Sequence, residues 1–475
     1  NRVVNMEKTK LVATVCENKN ERGQIEEFIK SGIDVIRLNM SYSSQDVCRR
    51  LINIINETNE KLGTNTAIML DLEGPCIRTD TFIGGKAYLN TGDKIRIYMN
   101  EINGNMTGFS VNYKNLVNDL KYHTKIKLSK GNVILQVTEK GLDYVVCAVL
   151  KGGEVSDNSK IYLPETRPSR KFLTEQDYSD ILFAHEMGVD FIVVSGISSA
   201  EDVLEINDLL IELKNEHIGL IAKIENKRAV EDIDNIINIA DGIILDRGDL
   251  GIEMPIEIVP NIQKKIIHKC YEQGCLIVIT AEFNSFLTKK AVPNRAEVSD
   301  LSTLVSEAID AIMLTSETTI GAHPIDTVRI VSKIIRESEE SIDYGYFFRK
   351  SLNEKQKSIT STVSSSVVLG ANELDCKAIL VATNFGRTAR RISQLKPPCP
   401  IIAAASNTSV VKSLQLHFGV LPVNAKGDTL DELTENVKKE LSTTFKLNPG
   451  DKIIITGGYP FKKVKYTNFM QIDEI

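Results

Sequence analysis

Residues 220–255 read LIAKIENKRAVEDIDNIINIADGIILDRGDLGIEMP. Two apolar runs, Leu220 to Ile224 and Gly242 to Leu245, have the length and content of parallel strands buried on both faces. Between them Ile233, Ile236, Ile237 and Ala240 recur at helical spacing. Each run ends in charge, so Lys223, Glu225, Asp246, Arg247 and Asp249 gather at one rim. A lysine beside two carboxylates, followed by the flexible Gly248, suits a divalent cation and a substrate that develops negative charge. Hard oxygens hold magnesium, and an ammonium stabilises an oxyanion. A network of rim salt bridges accounts for the same residues equally well, because parallel-strand ends carry charge in many barrels that use it only for solubility.

The same alternation extends in both directions. Short apolar runs at Lys10 to Val15, Val35 to Asn39, Ala67 to Asp71, Phe191 to Ser195, Leu276 to Ala281 and Ala311 to Thr315 bring the total to eight, most of them separated by helical stretches such as VLEINDLLIEL or IIHKCYEQG. Asn39, Asp71, Ser195, Glu225, Asp249, Thr280 and Glu317 stand near their C-terminal ends. That count predicts a (β/α)8 barrel, an α/β fold whose working rim lies at the C-terminal end of the strands, over a doubly wound open sheet.

Two departures from the repeat define further units. From Thr79 to Pro168 the segments DKIRIYM, TKIKLS, NVILQVTEK and LDYVVCAVL, with Gly, Asn and Asp at the turns, predict a small β-barrel inserted as a lid (79–168) between barrel segments 1–78 and 169–343. After Asp343 a polar linker, FFRKSLNEKQKS, leads to an α/β unit (344–475) with strands at Ala378 to Val381, Ile401 to Ala404 and Lys452 to Thr456. Its loop Thr383-Asn384-Phe385-Gly386-Arg387-Thr388 lies between strand and helix, where a phosphate is favoured; an ordinary N-cap turn would read the same.

Composition excludes several classes. The formal net charge of -6 disfavours nucleic acid as a partner, and no apolar run reaches membrane-spanning length. The opening NRVVNMEKTK lacks a signal-like apolar region, so a cytoplasmic location is expected. Eight cysteines without a CxxC pair indicate neither zinc nor a disulfide framework.

With barrel, insertion and C-terminal unit in this order, the chain resembles the pyruvate kinase family over its whole length. The resemblance is carried by TKLVATV (9–15), RLNMS (37–41), LDLEGPCIRT (70–79), AKIEN (222–226), DRGDLGIE (246–253), PNRAE (293–297) and MLTSET (313–318). It implies phosphoryl transfer from phosphoenolpyruvate to ADP, giving pyruvate and ATP, with Mg2+ or Mn2+ and usually K+. It also implies a tetramer, homomeric or mixed with an active paralogue, with a sugar-phosphate effector site in the C-terminal unit.

Carried over residue by residue, Lys223 matches the lysine that stabilises the transferring phosphoryl and the enolate oxygen. Glu225 and Asp249 match the divalent-ion ligands, and Arg37 the arginine that grips the substrate phosphate. Asn39, Ser41, Asp71 and the Leu72 carbonyl match positions around the monovalent cation. Arg78 matches an arginine near the nucleotide, and the amides of Gly248 and Asp249 would meet the substrate carboxylate. Thr383, Asn384, Gly386, Arg387 and Thr388 match the effector phosphate loop, with Lys462 and Lys463 in a second loop.

Other family positions are changed. Counting back from PNRAE puts Ala281 where the family has a threonine that assists enolate protonation, with Glu282 for a glutamine. Glu73 stands for a lysine and Cys76 for a glutamate linked to potassium dependence. Asp246 stands for a small residue beside the substrate carboxylate. The lid return reads Ser159-Lys160-Ile161-Tyr162, with Lys160 one place along from the family's lysine. Changes concentrated at the rim, with the strands intact, predict a subunit that keeps the fold and has lost most turnover, acting by assembly or regulation. The competing expectations are an active enzyme with altered nucleotide and cation contacts, or another enolate chemistry on the same metal site.

Overall fold

The computed structural model describes residues 7–215, 217–281, 292–352, 358–427, 429–444, 447–461 and 463–475. Eight parallel strands close into a barrel: β1 (Lys10–Val15), β2 (Val35–Asn39), β3 (Ala67–Asp71), β4 (Phe191–Val194), β5 (Gly219–Ile224), β6 (Gly242–Leu245), β7 (Leu276–Thr280) and β8 (Ala311–Leu314). Each pairs with its neighbours in chain order, and β8 closes on β1 with Lys10 opposite Ala311. The runs are apolar throughout because both faces are buried, yet the faces differ. Val12, Val35, Met69, Val193, Ile221, Ile244, Val278 and Met313 fill the barrel interior. The alternate residues Ala13, Ile36, Leu70, Val194, Ala222, Leu245, Ile279 and Leu314 pack beneath the helices. Side chains on a strand alternate with a period of two. Carried one step up each strand, the period assigns Thr14, Arg37, Asp71, Ser195, Lys223, Asp246 and Thr280 to the interior layer at the C-terminal rim.

Local sequence fixes the connections. The helix Gln45–Leu62 starts at Ser44, whose side chain accepts the Val47 amide, and stops at Gly63 in left-handed conformation. The helical stretch expected between β5 and β6 is two short helices, Lys227–Glu231 and Ile233–Ile237, broken at Asp232. The Asp232 carboxylate leaves helical register to accept the Ala200 amide at 2.7 Å. Gly74 (φ +69°) brings the loop after β3 so close to β4 that a Cβ there would lie 2.1 Å from the Ser195 carbonyl oxygen. Only glycine fits that approach.

The insertion is a five-stranded sheet in the order Gly108–Ser110, Lys94–Tyr98, Tyr144–Lys151, Val133–Lys140, Lys125–Leu128, beside a two-stranded ribbon of Lys86–Leu89 and Gly153–Ser156. One apolar core, including Leu89, Ile97, Phe109, Leu128, Val137 and Val149, joins them. Its two connections to the barrel pair with each other: Arg78 bridges Lys160 antiparallel, and the Ile161 amide donates to the Ile77 carbonyl at 2.8 Å.

The C-terminal sheet runs Val420–Asn424, Ile401–Ala405, Ala378–Ala382, Lys452–Gly457, Phe469–Glu474, the last strand antiparallel. The three inner strands are the apolar runs of the sequence; the outer two carry partly exposed residues and lack that signature. The expected linker begins as a helix, Tyr344–Leu352, and continues through 353–357, which lie outside the described residues. Leu416 of this unit packs into the interior cluster of the barrel. Lys396 pairs with Asp310 at 2.6 Å across the junction. The cysteines of the described structure are free, and no helix among the described residues is long and apolar enough to cross a membrane.

Candidate active site at the barrel rim

Five residues form a chain of alternating charge across the rim. Asp246 Oδ2 lies 3.1 Å from Lys223 Nζ, and Lys223 Nζ lies 3.1 Å from Glu225 Oε2. Glu225 Oε1 accepts from Lys160 Nζ at 3.2 Å, and Lys160 Nζ donates to Asp249 Oδ2 at 2.6 Å. Tyr162 Oη donates to the remaining Asp249 oxygen, Oδ1, at 2.9 Å. The strand period brings Lys223 and Glu225 together on the interior face of β5. Asp246 and Asp249 come from the start of the helix Arg247–Glu253. Lys160 and Tyr162 come from the return of the lid.

Burial opposes charge on Lys223, but Glu225 and Asp246 outweigh it and hold the ammonium charged. Lys160 is half-buried, and Glu225 and Asp249 outweigh the desolvation and hold it charged. Burial pushes the Glu225 carboxyl up, yet the two ammoniums bring it down to about 2. Lys223, Lys160 and Glu225 are therefore held charged at neutral pH, while burial pushes the Asp249 carboxyl up.

The divalent-ion position expected between Glu225 and Asp249 meets this network directly. Oxygens of Glu225, Asp246 and Asp249 lie within 4.8 Å of one another, the spacing of a metal ligand set. Both oxygens of Asp249 and Oε1 of Glu225 are already hydrogen-bonded, and the ammonium that links them places one positive charge where a divalent ion would bring two. Glu225 Oε2 is buried and faces Lys223 Nζ at 3.1 Å. Magnesium can fill most of its octahedral shell with water, but it still needs one or two carboxylate oxygens at about 2.1 Å, and the Lys160 ammonium lies on those that Glu225 and Asp249 would offer together. The ion does not fit this arrangement while Lys160 is in place.

The other expected residues are similarly engaged. Arg37 donates through Nε (2.7 Å) and Nη2 (2.5 Å) to Asp71 Oδ2 and through Nη1 (2.9 Å) to Thr14. Ser195 Oγ donates to Asp71 Oδ1 at 2.8 Å, so both oxygens of this expected cation ligand are occupied. Asn39 Oδ1 accepts the Ser41 amide at 3.0 Å, and the Leu72 side chain is buried. Arg78 Nε donates to Glu73 Oε1 at 2.8 Å and Nη1 to the Asn158 carbonyl at 3.0 Å. Gly248 sits in the first turn of the helix Arg247–Glu253, where the Asp246 side chain accepts the Asp249 amide at 3.4 Å. Burial pushes the Cys76 thiol up, so it is held neutral.

Thr280 and Ala281 correct one reading of the sequence. Ala281 is buried in the layer beneath the helices with Ile277 and Ile279, so it does not face the rim interior. Thr280 does: its hydroxyl donates to the Leu245 carbonyl at 3.2 Å and accepts the Arg247 amide at 3.3 Å. Glu282 lies outside the described residues. The alternation Ile221, Lys223, Glu225 applied to Leu276, Val278, Thr280 puts the Thr280 side chain on the interior face. Tyr162 was visible in the lid motif but received no role, because nothing in the sequence brings it to Asp249.

In the C-terminal unit, Thr383 Oγ1 accepts the Gly386 amide at 2.9 Å, and Gly386 takes φ +76° to start the helix Arg387–Gln394. Thr388 and Thr467 share a hydroxyl hydrogen bond of 2.7 Å. Thr383, Asn384, Arg387 and Thr388 line a cavity of about 30 Å3 together with Lys465 and Tyr466. Lys463 is exposed, and Lys462 lies outside the described residues.

The chain matches the family model described as "Pyruvate kinase, barrel domain" over residues 6–328 and the model "Pyruvate kinase, alpha/beta domain" over residues 361–473. It is 34% identical to a pyruvate kinase of Clostridium perfringens (strain 13 / Type A) over 99% of this chain and 100% of that protein. It is 35% identical to a pyruvate kinase of Sporosarcina psychrophila over 99% of this chain and 81% of that protein, and 34% identical to one of Geobacillus stearothermophilus over 98% and 80%.

Proposed function

The chain belongs to the pyruvate kinase family, and we propose that it is a catalytically impaired member that acts by assembly with, or regulation of, a competent pyruvate kinase. The observation that carries this reading is the place of Asp246. Its carboxylate lies against Lys223 Nζ and the Asp249 amide, the groups expected to receive the substrate's anionic oxygens. A substrate carboxylate arriving there meets a like charge. At about 4 Å and an effective dielectric near 20, that repulsion is about 4 kcal/mol, or roughly a thousand-fold in binding.

The nucleotide side follows the same logic. Arg78, the expected phosphate contact, is paired with Glu73, and a polyphosphate would have to displace a carboxylate to reach it. Arg37 is held by Asp71, which keeps its guanidinium rigid and half-neutralised. Family chemistry is phosphoryl transfer between phosphoenolpyruvate and ADP, and the family generally uses Mg2+ and K+. Here the residues that would orient those reactants are mostly bonded to one another, and a cytoplasmic role beside an active glycolytic paralogue accords with that.

A coupled assay on the pure full chain, with phosphoenolpyruvate and ADP, Mg2+ or Mn2+ and with or without K+, tests the reading. Turnover about a thousand-fold below that of a competent relative is expected, together with altered substrate response of a co-expressed paralogue in a mixed tetramer. Ordinary turnover rejects impairment. A chain that forms only its own homotetramer and leaves the paralogue's kinetics unchanged rejects regulation.

Thr280 favours the second reading, an active enzyme with altered nucleotide and cation contacts. Its hydroxyl lies at the interior rim, one residue before the position matched to the family's proton-assisting threonine, and could take over that role if it released the Leu245 carbonyl. If the coupled assay finds turnover, Thr280→Val should remove most of it.

A further inference from the structure

We propose that Lys160 is a built-in cation that takes the place of the divalent ion at the rim, so that the chain binds a small 2-oxo or enol carboxylate here without metal. The inference rests on Glu225 and Asp249 being the family's divalent-ion pair. It reaches beyond impaired turnover because it states what fills the position and what that filling can bind.

Three observations support it. The Lys160 ammonium hydrogen-bonds one oxygen from each of the two carboxylates, at 3.2 Å and 2.6 Å. That is the bridging role of an ion, performed by a side chain. Secondly, the ammonium is positioned by backbone: Lys160 lies in the paired connections of the lid, bridged to Arg78 and flanked by the bond between Ile161 and Ile77. Tyr162, two residues on, caps the other Asp249 oxygen. Lys127 of the lid donates to the Ile252 carbonyl on the same helix. The lid thus holds Lys160 and Tyr162 in register with Asp249.

Thirdly, the donor count leaves capacity. An ammonium has three N–H donors, and two are used on Glu225 and Asp249 among the described residues. The Lys160 side chain keeps 25% of its surface exposed, so the third can reach a ligand oxygen at the rim. A divalent ion chelates two adjacent oxygens of a 2-oxo acid; Lys160 can give one of them a charge-assisted hydrogen bond. The expected outcome is weaker but metal-independent recognition.

The experiment reads binding and not turnover, so its failure is separable from that of the proposed function. Mn2+ is titrated into the full chain by electron paramagnetic resonance, for wild type, Lys160→Met, Lys160→Arg, Glu225→Gln and Lys160→Met/Glu225→Gln, with folding checked by circular dichroism. Lys160→Met should gain Mn2+ affinity by on the order of ten- to a hundred-fold, the range in which groups around metal ligands act. Lys160→Arg should stay close to wild type, and the double variant should lose the gain, which locates the ion at Glu225. Pyruvate binding, followed by calorimetry, should be insensitive to a chelator in wild type and become Mn2+-dependent in Lys160→Met. Tight Mn2+ binding by wild type that Glu225→Gln abolishes would overturn the proposal, as would an equal absence of Mn2+ binding in wild type and Lys160→Met. Pyruvate binding that disappears from wild type on chelation would overturn it too.

Discussion

Thr280 and Ala281 are neighbours at the end of β7 and face opposite layers of the barrel, the hydroxyl of one toward the rim interior and the methyl of the other under the helices. Ala281→Thr therefore adds a hydroxyl to an apolar layer. The expected result is a loss of about 1–3 kcal/mol, the cost of a buried polar group left without a partner, and no gain in turnover. Urea unfolding and the coupled assay check the two halves. A gain in turnover would mean that residue 281 reaches the site.

Glu73→Gln should free Arg78. Their ion pair is half-buried, and repulsion between a carboxylate and a phosphate about 4 Å apart is worth roughly 1–4 kcal/mol between bulk water and a protein surface. ADP affinity by calorimetry is expected to rise about ten-fold, with steeper dependence on ionic strength. An unchanged affinity would separate Arg78 from the nucleotide.

Burial pushes the Asp190 carboxyl up to about 6, against the pull of Lys412 and of the Ile68 amide that it accepts at 2.8 Å. Its folded pKa is raised above the unfolded value of 3.8. The folded state then holds this proton more tightly, so the contribution of Asp190 to stability is most favourable below pH 4, falls as pH rises through the interval up to about 6, and is level above it. Two units of separation correspond to about 3 kcal/mol. Asp190→Asn keeps an oxygen for the Ile68 amide and has no charge to bury. Denaturant unfolding at pH 4, 5, 6 and 7 should show wild type losing stability relative to the variant across that window, and parallel profiles would count against it.

In the C-terminal unit, a cavity of about 30 Å3 beside the Thr383–Thr388 loop admits a single small group as it stands. A sugar bisphosphate would seat one phosphate at the amides of the helix Arg387–Gln394 and must shift Lys465 or Tyr466 to do so. Thermal unfolding with sugar bisphosphate at about a hundred times its dissociation constant should gain about 2.7 kcal/mol, and Arg387→Ala should remove most of that gain. No shift in wild type would leave the loop an ordinary helix start.

Much of the architecture was legible in the residues because strand burial is a local property. Eight runs buried on both faces, each followed by a helix-forming stretch, leave few arrangements, and the observed strand bounds differ from the apolar runs by a residue or so at some ends. The edge strands Val420–Asn424 and Phe469–Glu474 were not legible, since a half-exposed edge carries no continuous apolar run. The single helix expected before β6 failed at Asp232, where a contact with a residue 32 positions away overrides the local spacing.

At the rim, the sequence by itself determined which charged residues are present and that Lys223, Glu225, Asp246 and Asp249 share one end of the barrel. It could not decide between a metal site and a salt-bridge network, since both use the same residue types at the same spacing. What the tertiary structure added is the pair Lys160 and Tyr162 from the lid, 89 and 87 positions from Asp249, on the oxygens an ion would need. Which cation a carboxylate pair receives depends on what lies within about 3 Å in space, and only the packing of lid on barrel sets that distance.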